Sequence, residues 1–220
     1  MSETRLKAVL WDMDGVIADT ADFHYSAWRD VFKERGVSFT KADFMRHFGQ
    51  RHDTIIKFAL GDKFSQGDIE AITDKKQSLY RQRVSQDIRP LPGAVELIKL
   101  LNKNKIKIAI ASSAVAQNIQ VILKGLGIED YFQAIAFGTE VAEGKPSPEI
   151  FQLAAKKLGV KPEYCVVIED AIAGVTAAKR AGMKCVAVTN SHPRQSLKNA
   201  DMVVDTLEKV DIAVLKGLFK

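Results

Sequence analysis

Lys7-Ala8-Val9-Leu10-Trp11-Asp12-Met13-Asp14-Gly15-Val16 is an apolar run with strand character that stops at two carboxylates, with glycine next. In an extended segment residues i and i+2 point the same way, so Asp12 and Asp14 are expected on one face. Two acids crowded at the end of a buried strand repel each other and are costly to desolvate. A fold keeps such a pair when a cation offsets the charge or when one acid stays protonated. Taken alone, the stretch reads better as a strand followed by an Asp-Gly turn, and the rest of the chain has to decide.

The bulk composition sets broad limits. A chain of 220 residues can bury a sizeable core, as one large domain or as a main domain with an insert. Its 46% hydrophobic and 27% charged residues are those of an ordinary globular protein. No window approaches the ~18 uninterrupted apolar residues of a membrane span, so no membrane partner is expected. Met1–Lys7 carries charges and no apolar signal region, which makes the cytoplasm the expected location. Cys165 and Cys185 sit in apolar runs without ligand spacing and read as buried free thiols. The net charge of +5 is spread along the chain, apart from the short Lys103–Lys107 run. Nucleic acid is therefore not an expected partner, although a mildly positive surface suits anionic metabolites.

Beyond the opening strand, residues 16–88 are helical in pattern, with no convincing strand. Asp19–Arg35 places Phe23, Ala27 and Val31 at helical spacing, with Trp28 and Phe32 beside them, and Gly36 stops the helix. Thr40 offers an N-cap for Lys41–Phe48, and Asp53–Leu60 is a further helix ended by Gly61. Ser65-Gln66-Gly67-Asp68 has the form of a capping box and opens a long helix. From Pro90 onward, apolar strands alternate with helices: Ile106–Ala111, Ala134–Phe137, Tyr164–Ile168, Lys184–Val188 and Met202–Val204. Strands that are apolar throughout, separated by helices, predict a doubly wound parallel sheet covered on both faces, an α/β Rossmann-like core. The domain division that follows is 1–15 with 89–220 as core and 16–88 as an inserted all-helical cap.

In such sheets the site lies beyond the carboxyl ends of the strands. Those ends carry Asp12-Met13-Asp14, then Ser112-Ser113, then the loop with Lys145-Pro146, then Glu169-Asp170. Singly, each has an innocent reading: a helix-capping serine, a solvated lysine, acids at a helix start. Their joint placement on one rim is what points to a site. Asp12, Asp14 and one or both of Glu169 and Asp170 make an oxygen-only cluster of the kind that suits Mg²⁺. A hydroxyl and a lysine opposite can hold a phosphate. One acid beside that phosphate can attack phosphorus and a second can move the proton.

At this point the chain resembles the haloacid dehalogenase superfamily, in the branch with a helical cap inserted after the first strand. Asp12-Met13-Asp14-Gly15-Val16 resembles its first motif, Ala111-Ser112-Ser113 its second, Lys145-Pro146 its third and Ile168-Glu169-Asp170 its fourth. The resemblance implies that Asp12 is the nucleophile and that Asp14 is the acid/base whose backbone carbonyl also binds the metal. It implies that Ser112 and Lys145 hold the transferring phosphate, and that Asp170 with Glu169 completes a Mg²⁺ site. Asp14 speaks against dehalogenase chemistry, which needs no second acid.

The segment Asp14–His24 is similar to the opening of the β-phosphoglucomutases, and Trp28 also has a counterpart there. By that similarity the substrate-binding residues are Ser113, Arg51, His24, Lys76 and Asn118. Arg51 reads equally as a solvated helix-start charge; for Lys76 a solvated helix face is the leading reading, and His24 reads as a hinge or interface residue ahead of a metal ligand. The mutases carry a Ser-Lys-Asn after the second motif where this chain has Ala114-Val115-Ala116-Gln117-Asn118, without the lysine. A phosphatase of a small phosphorylated metabolite, such as a sugar phosphate, is therefore expected ahead of a β-phosphoglucomutase. A non-enzymatic phospho-receiver module shares the aspartates and the lysine but has no use for a helical insert. A monomer is expected, since no exposed apolar stripe is evident.

Overall fold

A computed structural model describes residues 5–47 and 52–220. Arg51 lies outside the described residues. Among those described, six parallel strands form one sheet: β1 (Ala8–Trp11), β2 (Lys107–Ser112), β3 (Ala134–Phe137), β4 (Cys165–Glu169), β5 (Lys184–Val188) and β6 (Met202–Val204). Their order across the sheet is β3-β2-β1-β4-β5-β6. This is the doubly wound architecture, with the strand order reversing between β1 and β4.

The chain divides into two compact units, one spanning Thr20–Asp87 and the other comprising the residues through Asp19 and Ile88–Lys220. In the α/β unit, α5 (Ala94–Lys103), α6 (Ala116–Gly125), α7 (Glu149–Leu158), α8 (Ile172–Arg180) and α9 (Ile212–Gly217) accompany the strands. One sheet face, Ala8, Leu10, Ala109, Ala111, Cys165 and Val167, packs under Phe151 and Ala154 of α7 and Val175 and Ala178 of α8. The alternate residues Val9, Trp11, Ile108, Ile110, Val166 and Ile168 are just as buried. The sheet is thus covered on both sides, which is why its strands are apolar throughout rather than alternating. Both cysteines are free and buried, and burial pushes the Cys165 thiol up to about 12.

The strand boundaries shift by a residue in two informative places. The expected strands Ile106–Ala111 and Tyr164–Ile168 run one residue further, so Ser112 and Glu169 close β2 and β4 from inside the ladder. Parallel pairing sets Trp11 level with Ile168, which places Asp12 beside Glu169 with both side chains on the α7/α8 face. Beyond Asp12 the backbone leaves the extended form. The Met13 carbonyl accepts from Val16 N (3.3 Å), Ile17 N (2.9 Å) and Ala18 N (3.2 Å), and Gly15 N donates to Ala18 O (2.9 Å). Gly15 takes φ +79° in this turn, which glycine adopts without a steric penalty. Asp14 therefore opens a turn and does not continue a strand.

The helical unit contains α1 (Ala21–Lys33), α2 (Lys41–His47), α3 (His52–Leu60) and α4 (Gln66–Asp87). Its core is Trp28, Val31, Phe32, Phe39, Phe44, Ile55, Ile56 and Ile72. Two reciprocal caps start its helices. Asp43 N donates to Thr40 Oγ1 (3.1 Å) while Thr40 N donates to Asp43 Oδ2 (3.0 Å). Ser65 and Asp68 repeat the pattern at 3.2 and 3.0 Å, with Asp where the capping box usually has Glu. No helix among the described residues is long and apolar enough to cross a membrane.

Candidate active site

Asp12 is the first residue past β1, and its N–H still donates to Ile168 O (3.0 Å), so the ladder to β4 fixes where it stands. Its carboxylate is buried beside those of Glu169 and Asp170, with one oxygen of each within 4.8 Å of the others. Asp14 is outside this group but half-buried and near enough that its charge acts on Asp12. The turn at Met13 begins between the two acids.

Lys145 comes from the loop between β3 and α7. Its Nζ donates to Asp12 Oδ1 (2.5 Å) and Glu169 Oε1 (2.6 Å). The loop is held by Glu149, whose Oε2 accepts from Ala142 N (2.9 Å) and Glu143 N (3.3 Å). Ser147 Oγ donates to its other oxygen (3.2 Å), and Arg180 donates to Pro146 O (3.2 Å). The second oxygen of Glu169 accepts from Asp170 N and Ala171 N, each at 2.8 Å. Glu169 thus accepts from three donors. Asp170 Oδ2 accepts from Ser191 Oγ. That leaves Asp12 Oδ2 and Asp170 Oδ1 without a protein donor among the described residues.

Three buried carboxylates around one ammonium leave the site short of positive charge. Burial, reinforced by Glu169 and Asp14, pushes Asp12 up to about 7 against the pull of Lys145. Asp170 is also raised, first by burial and then by Glu169 and Asp12. Burial opposes the charge on Lys145, but Asp12 and Glu169 outweigh it and raise its pKa. An ion pair with surplus acid is the arrangement in which a divalent cation removes the imbalance. The oxygen-only donor set fits a hard cation.

The other strand ends close around this group. Ser112 is 1% exposed and its Oγ accepts from Ala114 N (3.1 Å), while Ser113 is exposed. The loop after β3 lies against this turn: Gly138 N donates to Ala114 O (3.1 Å), and a Cβ on Gly138 would stand 2.3 Å from Ser113 O. Asn118 is buried in the first turn of α6. Val115, the N-cap of that helix, contributes no side-chain capping bond.

In the helical unit the solvated reading of Lys76 does not hold, because Lys76 is fully buried. Its Nζ lies 2.7 Å from His24 Nδ1, over the rings of Tyr80 (5.0 Å) and Trp28 (5.4 Å). An ammonium only donates, so the lone pair of His24 Nδ1 is what this contact would use. His24 stacks on Tyr80 at 4.0 Å between centroids. The signal was available in the spacing, because Ile72, Lys76, Tyr80 and Val84 form one i, i+4 stripe along α4.

A model of the haloacid dehalogenase-like hydrolases matches residues 6–182. The chain belongs to the haloacid dehalogenase-like hydrolase family. It is 35% identical over 218 residues to a β-phosphoglucomutase of Bacillus subtilis, covering 96% of this chain and 94% of that one. A phosphorylated-carbohydrate phosphatase of Thermotoga maritima is 31% identical over 179 residues, covering 81% of this chain and 83% of the relative. The crystal structure of a β-phosphoglucomutase from Clostridium difficile superposes with a TM-score of 0.86 at 32% identity, covering 97% of each chain. The four strand-end motifs of this family are the segments that the sheet brings together here.

Sequence reading missed two residues of the site. Ser191 lies after β5 with no motif around it. Gly174, in α8, is where a Cβ would stand 1.7 Å from Glu169 Oε1. In an exposed helix a Gly→Ala change stabilises by about 1 kcal/mol. Gly174→Ala is expected to do the reverse, destabilising by roughly 1–3 kcal/mol through overpacking, as read from the urea midpoint at unchanged slope.

Proposed function

We propose that this protein is a Mg²⁺-dependent phosphatase that transfers the phosphoryl group of a small phosphorylated metabolite, a sugar phosphate foremost, first to Asp12 and then to water. The observation that carries the reading is the buried Asp12–Lys145–Glu169 ion-pair cluster with Asp170 beside it. Asp12 and Asp170, each with an oxygen not engaged by the protein, would hold the cation, with the Asp14 backbone carbonyl completing the set and Glu169 adding charge. Mg²⁺, when bound, offsets the repulsion between Asp12 and an incoming phosphate dianion.

The residues then divide the work. Asp12 attacks phosphorus in line, forming the aspartyl phosphate as the bond to the substrate oxygen breaks. Asp14 gives its proton to that departing oxygen and takes one back from the water that attacks the aspartyl phosphate. Lys145 and Ser112 bind the phosphoryl oxygens, and the exposed Ser113 offers a second hydroxyl. Asn118, buried at the start of α6, is a further candidate for the substrate. His24 and Lys76 are the helical unit's candidates for reading the substrate, since an ammonium held between two rings is costly to bury without a use. The reading includes a cytoplasmic monomer, because the large exposed apolar residues among those described, Met45, Phe58, Leu100 and Ile172, fall on four different helices.

A β-phosphoglucomutase is the second reading, favoured by the 35% identity to the Bacillus enzyme. Against it stands the turn after Ser113, where Val115 replaces a lysine and one phosphate of a bisphosphate would lack its cation. The two differ only in whether water or a sugar hydroxyl receives the phosphoryl group.

Asp12→Asn is expected to abolish turnover of a generic aryl phosphate, and steady-state hydrolysis by that variant would end the nucleophile assignment. Because protons on Asp12 compete with the cation, Mg²⁺ affinity should fall as pH drops below about 7. Calorimetric titration in buffers of different ionisation enthalpy should show proton release on binding at pH 6 and little at pH 8. With β-glucose 1-phosphate and a bisphosphate primer, phosphate release is expected to outrun glucose 6-phosphate formation, and the opposite order would establish the mutase.

A further inference from the structure

The family motifs occupy the ends of β1, β2, β3 and β4, yet the loop after β5 also reaches the site. Thr189 is tied outward to β6, its N–H donating to Val204 O (3.0 Å) and its Oγ1 to Asp205 Oδ1 (3.0 Å). Arg194 braces the same loop, donating to Val203 O (2.7 Å) and Asp205 Oδ1 (2.8 Å). Between these anchors the chain turns inward. Asn190 Nδ2 donates to Gly15 O (2.8 Å), and Ser191 Oγ donates to Asp170 Oδ2. Gly15, Asp170 and Ser191 are in such close approach that a Cβ on Gly15 would stand 2.0 Å from Asp170 Oδ2 and 2.9 Å from Ser191 Oγ.

We propose that Ser191 is a positioning residue for the cation site: by holding one oxygen of Asp170 it turns the other toward the cation, with Asn190 locking the loop onto the turn that follows Asp12. The proposal rests on the reading that Asp12 and Asp170 hold Mg²⁺. Asp170 is 3% exposed and lies beside two other carboxylates, so without a donor its carboxylate would swing to relieve repulsion. The Ser191 hydroxyl removes that freedom before the cation arrives. Donors that orient a ligating carboxylate are typically worth 10- to 100-fold in metal affinity.

The test is direct Mg²⁺ titration by calorimetry at pH 8 on the whole protein and on the Ser191→Ala and Ser191→Thr variants, with thermal midpoints measured with and without Mg²⁺. Ser191→Ala is expected to weaken Mg²⁺ binding about 10- to 100-fold. It should also lose most of the Mg²⁺-dependent rise in midpoint, while Ser191→Thr restores both. In turnover assays the loss should appear as a higher Mg²⁺ requirement, largely recovered at saturating Mg²⁺. Unchanged Mg²⁺ affinity in Ser191→Ala, with only a lower midpoint in the metal-free protein, would make Ser191 a merely structural residue and overturn the proposal. Wild-type protein that binds no Mg²⁺ would overturn the cation reading itself, and this proposal with it.

Discussion

Everything at the carboxyl edge of the sheet answers to one electrostatic constraint: Asp12, Glu169 and Asp170 are buried together, and Lys145 is the ammonium within reach of them. Each strand end offsets part of that excess. The β3–α7 loop brings the lysine, two backbone N–H groups after β4 satisfy Glu169, and the loop after β5 brings a hydroxyl to Asp170. The remaining negative charge would favour a divalent cation at this edge. Close packing serves the same end, since Gly15 and Gly174 leave room where any side chain would displace a carboxylate.

The helical unit solves a related problem with different means. Lys76 is buried, with His24 Nδ1 and the faces of Tyr80 and Trp28 against its ammonium. Cation–π attraction and one hydrogen bond offset part of the desolvation cost, each on the order of 1 kcal/mol or more when water is excluded.

Some of this was legible in the chain before any coordinates. Continuous apolar runs such as Ile106–Ala111 and Tyr164–Ile168, each followed by a helix, specify a parallel sheet because only a strand buried on both faces needs no polar positions. Once the sheet is parallel, its carboxyl edge is the place for a site, and Asp12, Ser112, Lys145, Glu169 and Asp170 are read off the strand ends. The capping residues Thr40 and Ser65 were equally legible, because a cap is a contact between residues three apart.

Tertiary structure alone decided the rest. A turn centred on the Met13 carbonyl follows Asp12 and closes through Ala18, several residues on from the strand. Glu169 takes three donors because Lys145 arrives from another strand end. Ser191 joined the site through a partner more than twenty positions away in sequence. The sequence by itself determined which chemical groups this protein carries and which edge of the sheet they reach, since periodicity and strand order are local properties. How those groups share one ammonium, three acids and a hydroxyl is set by packing among distant segments, and only the folded chain brings them within hydrogen-bond range.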